Sequence, residues 1–309
     1  MLTTDAALLW RTLKGVICIY KPADTKLSHV RTTIINKLCA DLNQLDCRPP
    51  IDHVVVEPDE KDCFDVKVVP NLADHPMVVG PRYQANDLPC SWSNFLGTST
   101  SGVLILGLGR RGTSLAKNIR ENYPTRAYRI KGVFGQSTDN NYKDGKVVER
   151  STFWHVKLSR LERLLANMQA SHQRKMFEMS GVDMQSQTAY DLAIKGPIRP
   201  ANSKLPLIYG LKCVHFQPPN FTIEVQCVNE YEMYLKTLIH EIGTSLHSTA
   251  HCTGLQCIRH SHFTLDDAFL RRHWDLRHLM ANMERCNKII SEHGSIVRQE
   301  NATLQRVQQ

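Results

Sequence analysis

No stretch of this 309-residue chain approaches the ~20 uninterrupted apolar residues needed to cross a bilayer, so a membrane-spanning helix is not expected. The ten cysteines include no C-x-x-C pair and follow no regular spacing, which argues against a disulfide framework and for free thiols in a reducing compartment. There is no internal repeat and no low-complexity block. The opening MLTTDAALLWRTLKG lacks the apolar h-region of a secretory signal. It can wind into an amphipathic helix, but Asp5 and the low count of basic residues make it a poor transit peptide taken alone. Negative charge is also in deficit, with 30 Asp and Glu against 38 Lys and Arg. The resulting formal charge of +8 and pI near 9.0 favour an anionic partner, nucleic acid before membrane. What remains is ordinary for a globular chain able to bury one large core or two smaller ones: 42% hydrophobic and 22% charged residues.

Apolar periodicity lays out mixed secondary structure. GVICIY at 15–20 reads as a short buried strand ending at the Lys21-Pro22 turn. Residues 27–42 place apolar positions at helical spacing with Ser28 as N-cap. Residues 46–63, carrying Pro49, Pro50 and Pro58, read as a loop or insertion, and FDVKVV at 64–69 alternates like a half-exposed strand. VLILGLG predicts a buried strand, TSLAKNIREN a helix, RAYRIKGVF at 126–134 a strand, and 135–149 a polar turn within an antiparallel sheet. A helix over 159–169, paired strands at 205–216 and 221–228, a helix over 231–246 and a last helix over 264–285 starting at Thr264 complete the pattern. Strands with intervening helices imply an α+β domain on a largely antiparallel sheet.

The segment NFLGTSTSG, residues 94–102, runs straight into VLILGLG. Small polar residues feeding a buried strand are where catalytic groups are often displayed. This loop carries no carboxylate, histidine or cysteine.

Six segments in order resemble the TruB branch of the pseudouridine synthases. They are GVICIYKP, NFLGTSTSGVLILGLG, RAYRIKGVFG, GQSTDNNYKDGKVVE, SHQRKMFEMSGVDMQSQTAYDLAIKG and YLKTLIHEIGTSL followed by FTLDDA. The resemblance covers roughly residues 15–275 and is nearest the mitochondrial TruB-type proteins of animals, lacking a C-terminal PUA-like module. It implies a pseudouridine-synthase-like domain over 15–280 with an insertion at 46–80, preceded by an extension over 1–14 and followed by a polar tail over 281–309. It implies action on uridine within RNA, no metal or organic cofactor, and a mitochondrial matrix location. Expected partners are mitochondrial rRNA, mRNA or tRNA, together with RNA-processing or ribosome-assembly proteins.

In that family an aspartate of the loop is thought to attack the nucleotide, whose base is flipped from its stack. A tyrosine on the next strand packs against the base, and a basic residue on the late helix pairs with the aspartate. Carried over residue by residue, the tyrosine falls on Tyr128. The basic residue falls on Lys236, where the bacterial pattern has arginine, so a point charge replaces a bidentate fork. Trp92 stands where histidine is common. The aspartate falls on Gly97, which has no side chain to react. The expectation is an RNA-binding pseudoenzyme that has lost uridine isomerisation. Lys236 is then without a carboxylate partner and free for a phosphate, and Lys21, Lys26, Arg110, Arg111, Arg126 and Arg129 are candidate RNA-backbone contacts. One alternative is an active synthase using a displaced carboxylate such as Asp87. Another is a protein scaffold that no longer touches RNA.

Two further patterns are weaker. His247, His251, Cys252, Cys257, His260 and His262 match no standard zinc spacing. Gly107 and Gly109 in GLGRRG resemble a phosphate loop but fit an ordinary strand-to-helix turn better.

Overall fold

The computed structural model describes residues 4–58, 64–194 and 205–297. In chain order its elements are α1 (Ala6–Thr12), β1 (Gly15–Lys21), α2 (Leu27–Asn43), β2 (His53–Pro58), β3 (Phe64–Val69), α3 (Pro76–Val79), β4 (Cys90–Trp92), β5 (Thr100–Leu108), α4 (Gly109–Glu121), β6 (Arg126–Phe134), β7 (Gln136–Thr138), β8 (Val147–Arg150), α5 (Leu158–Met179), α6 (Gln187–Ile194), β9 (Leu207–Gln217), β10 (Asn220–Val228), α7 (Glu232–Ser245), β11 (Ala250–His260), β12 (Phe263–Thr264) and α8 (Leu276–Glu292).

The principal sheet runs β1-β5-β11-β6-β10-β9, with β4 and β12 added beside β5 and β11. Every pairing in it is antiparallel except β5 with β11. The α+β architecture expected from the sequence is the one observed. β5 reads as an unbroken apolar run because both its faces are covered: residues 102–108 are all buried. One flank of β5 is paired with β1 along its length. The other meets β11 at Thr100–Gly102 and β4 at Leu106–Leu108.

The GLGRRG segment is packing rather than phosphate chemistry. A side chain on Gly107 would collide with the carbonyl of Gly112, and one on Gly112 with the carbonyl of Gly15. These glycines let α4 lie backbone-to-backbone on β5 and β1, and Gly109 makes the turn at φ +68°.

Several boundaries differ from the sequence reading. The helix α2 begins at Leu27 with Lys26 at its N-cap and no side-chain cap, so Ser28 sits inside the first turn. The expected loop at 46–63 instead supplies β2, which pairs with β3 in a separate two-stranded sheet. Val54, Val56, Phe64, Val66 and Val68 share one exposed face of that hairpin. Asp74, bonded to Arg48 at 2.9 Å and to Arg82 at 2.6 Å, ties together the ends of the insertion. No helix starts at Thr264. Thr264 and Asp267 form a capping box around a single 3-10 turn, and α8 begins only after the N-cap Asp275. α8 then runs through position 281 with Met283 and Cys286 buried, so the boundary drawn for a polar tail falls inside a packed helix. The N-terminal extension is likewise docked, with Ala6, Leu9 and Leu13 in the core. Among the described residues no helix is long and apolar enough to cross a membrane, and the nine described cysteines are free thiols.

Candidate active site

The loop 93–99 joins β4 to β5 and is anchored by Asn94, which is buried. Its side-chain amide donates to Val103 O at 2.9 Å and its Oδ1 accepts from Ile105 N at 3.0 Å. Ser93 N donates to Ile105 O at 2.9 Å. Asn94 thereby imitates a neighbouring strand where β4 has ended and β11 has not begun, and this fixes the path of the chain into Gly97.

The other side of the loop rests on Lys21. This lysine is fully buried, and its ammonium donates to Thr100 O at 2.7 Å, Pro22 O at 3.0 Å and Thr98 O at 3.2 Å. Burial brings its pKa down to about 8, against the opposing charges of Glu232 and Asp24. Lys21 is therefore a clamp for the loop, and the expectation that it reaches RNA phosphates is corrected.

Lys236 comes to this loop from the inner face of α7. Its Nζ donates to Ser99 Oγ at 3.0 Å and lies 4.5 Å from the centroid of the Tyr142 ring. Tyr142 belongs to the polar turn between β7 and β8 and is buried, which pushes its phenol up to about 12. The expectation that Lys236 has no carboxylate partner is wrong. Glu232, one helical turn earlier, bonds it at 2.9 Å through Oε1.

Glu232 also fills the position that Gly97 leaves open. Its Oε2 accepts from Thr100 N at 3.1 Å and from the Thr100 hydroxyl at 2.7 Å. A Cβ built on Gly97 would fall on Glu232 Oε2 and Cδ, closer than unbonded atoms can approach, and would lie 2.9 Å from Glu232 Cβ. The slot beside Gly97 thus holds a carboxylate delivered by the first residue of α7, 132 positions beyond Thr100. Burial by itself raises the Glu232 carboxyl, but hydrogen bonds from Lys236 and Thr100 outweigh it and hold the group below its ordinary value. The helix N-terminus favours the same ionised form. The expected silence of the site rested on an empty slot, and the slot is filled.

Asp87, the displaced carboxylate considered from the sequence, is elsewhere. It ends a 3-10 turn just before β4, whose Cys90 lies opposite Leu108. That is the far end of β5, eight residues and about 26 Å of strand from Thr100. Arg110 and Arg111 sit at that same end, exposed at the start of α4, so they do not border the slot.

Tyr128, on β6, is buried and bonded to a different acid. It lies in register with Cys257 of β11 and is 3% exposed, its hydroxyl donating to Glu230 Oε1 at 2.7 Å. The same oxygen bonds Arg126 at 2.8 Å. Burial and the charge of Glu230 push the phenol well above its ordinary range. Arg126 is thus committed to a buried acid rather than free for a phosphate, and Arg129 is paired with Glu224 at 2.8 Å. Lys143 is exposed and lies over the ring of Tyr142, and Lys26, the N-cap of α2, is exposed as well. The histidines and cysteines weighed as a metal cluster are distributed along β11 and its flanks, and among the described residues no three of His, Cys, Asp or Glu gather to hold an ion.

The structure brings Lys236 to the loop that the sequence singled out but commits Tyr128 to Glu230, and sequence reasoning assigned no part to Glu232, Tyr142 or Asn94. A signal for Glu232 was present in the Glu–Lys spacing of four at the start of a helix, a pattern that usually marks a solvated face.

The sequence pattern of the TruB family pseudouridylate synthase (N terminal domain) matches residues 93–233. The mitochondrial pseudouridylate synthase TRUB2 of Xenopus tropicalis is 36% identical over 285 residues, which is 90% of this chain and 87% of that protein. The Homo sapiens protein of the same name is 37% identical over 274 residues, 86% of this chain and 82% of its own length. Among solved structures, a Cbf5–Nop10–Gar1 complex superposes with a TM-score of 0.44 at 15% identity, covering 85% of this chain and 54% of that one. The relatives bear out the mitochondrial location expected from the resemblance.

Proposed function

The chain belongs to the TruB family of pseudouridylate synthases, and from that premise we propose that it binds mitochondrial RNA, rRNA or mRNA, and receives a uridine at the head of β5. The observation that carries this reading is the convergence of side chains around position 97. A rigidly anchored loop, a lysine from α7 and an aromatic ring from the β7–β8 turn converge around position 97. Position 97 itself contributes no chemistry, because it has no side chain.

The net charge of +8 supports the long-range part of binding, and Lys143 supplies an exposed cation beside Tyr142, with Lys26 a further exposed candidate. With Lys21, Arg126 and Arg129 committed to internal partners, backbone contact falls on fewer side chains than the sequence suggested. Proteins that process RNA or assemble ribosomes are natural neighbours for such a chain in the organelle.

Ultraviolet crosslinking of the purified protein to mitochondrial transcripts tests the reading. Adducts mapping to residues 94–100 and 139–145 are expected, along with affinity that falls as salt rises. Absence of RNA adducts alongside stable protein partners would establish the scaffold reading instead.

A further inference from the structure

The carboxylate in the slot is placed where a reactive group belongs, and its provenance is unusual. The loop that should carry an acid carries glycine, and the acid arrives from the first residue of a helix far along the chain. The two features are complementary in space. The absence of a Cβ at 97 is what makes room for Glu232, since any side chain there would occupy the same volume as the carboxylate. Lys236, which the family resemblance assigns as partner of the loop acid, is instead bonded to Glu232, at 2.9 Å.

We propose that Glu232 is the nucleophile of this chain and that it isomerises uridine in RNA from α7 instead of from the loop. The proposal rests on the RNA-binding reading above and adds chemistry to it. Three properties fit Glu232 for the task. Lys236 and Thr100 hold both its oxygens at one place, so little rearrangement is needed before reaction. Its position at the start of α7, beside a lysine, keeps it ionised at neutral pH. Its side chain is 19% exposed, buried enough to be oriented and still in contact with solvent.

The reaction closes on itself. A Glu232 oxygen bonds to C1′ of the flipped uridine as the C1′–N1 bond breaks, and the bonding pair leaves with the uracil as its anion. The base turns within the pocket until C5 faces the sugar. C5 then bonds to C1′ as the ester C–O bond breaks, and the pair returns to Glu232 as carboxylate. One proton leaves C5 and one is taken up at N1, through water. The product is an isomer of the substrate, and no oxidant, reductant or second substrate is consumed.

Purified full-length protein, incubated with unmodified transcripts of the mitochondrial rRNAs and mRNAs, is assayed by chemical mapping of pseudouridine. Crosslinking and equilibrium binding to the same transcripts run in parallel. Wild-type protein is expected to produce pseudouridine at defined sites. Glu232→Gln, which keeps the shape and an acceptor for Thr100, is expected to lose at least about a thousandfold in turnover while RNA affinity stays within about threefold. A paired variant, Gly97→Asp with Glu232→Gly, returns the acid to the loop in the vacated space and is expected to recover turnover. RNA binding by the wild type without any pseudouridine overturns the assignment and leaves the binding reading standing. So does turnover that survives Glu232→Gln. Failure to bind RNA overturns both.

Discussion

Glycine at 97 and glutamate at 232 are predicted to be energetically coupled, and a double-mutant cycle measures the coupling. The backbone at Gly97 is not in the left-handed region. On backbone grounds alone, Gly97→Ala therefore stabilises by about 0.4–1 kcal/mol, by restricting the unfolded chain. The added methyl, however, occupies the volume of Glu232 Oε2 and Cδ, so the carboxylate has to leave. Leaving breaks two hydrogen bonds from Thr100 and the contact with Lys236. Hydrogen bonds to a charged group contribute about 1.5–3 kcal/mol each, and water recovers much of that for a side chain that stays partly exposed. A net loss on the order of 2 kcal/mol leaves Gly97→Ala destabilising by about 1–2 kcal/mol. With Glu232→Gly already in place the collision is gone, and the same methyl becomes neutral or stabilising. Glycine is the right partner substitution because Glu232 Cβ itself lies 2.9 Å from the new methyl. Urea unfolding of the four proteins, followed by circular dichroism and tryptophan fluorescence, reads the cycle. A coupling near 2 kcal/mol is expected, whereas additivity within about 0.5 kcal/mol would refute the statement that Glu232 occupies the side-chain space of residue 97.

Other outcomes follow from neighbouring contacts. Because the folded-state pKa of Glu232 is depressed, its contribution to stability is full above the unfolded value near 4.5 and is lost as pH falls through the folded pKa. The Glu232→Gln protein should accordingly lose less stability than wild type on acidification below about pH 4.5, and parallel curves would show the carboxylate to be unpaired. Lys21→Met leaves three carbonyls without their donor and should cost on the order of 3 kcal/mol in urea unfolding, with the hydrogen exchange of loop 97–100 accelerated. Unchanged exchange there would deny Lys21 its role as clamp. Lys21 is held near pKa 8 by burial, below its unfolded value of 10.5, so stability should rise between about pH 8 and 10.5, and Lys21→Met should remove that rise. Tyr128→Phe removes the hydroxyl from buried Glu230 and should cost about 1–2 kcal/mol. If it instead leaves stability unchanged while abolishing turnover, Tyr128 acts on the substrate rather than on Glu230.

Much of the framework was legible because it depends on local periodicity. β1, β3 and β6 begin where their apolar patterns begin, and the polar turn 135–149 closes between β7 and β8 as its composition suggests. The failures share a cause, which is that the deciding contact was remote. Thr264 carries a valid helix-start signal that propagates for one turn only, since Thr264 itself ends β12, paired with β11, and α8 takes its own cap from Asp275. The candidate RNA-binding cations could be counted in the sequence, but their availability could not. Arg129 meets Glu224 directly across the pairing of β6 with β10, and Arg126, opposite Cys227, meets Glu230 two residues past the end of β10.

The sequence by itself determined the family and the fact that residue 97 has no side chain to react with, and it singled out the loop 94–102 as the candidate site. Each of these is a property of residue type or of order along the chain. Which acid stands in the slot was decided only by tertiary structure. A search for carboxylates near Gly97 in sequence finds Asp87, which the pairing of β4 and β5 sends to the opposite end of the strand. The meeting of Glu232 with Thr100 depends on β5 pairing with β11 and α7 packing on β11, where Gly243 lets the helix approach Ala250. A side chain reaches a few ångströms, so what it touches is set by how the sheet and helix are stacked, and no spacing along the chain records that distance.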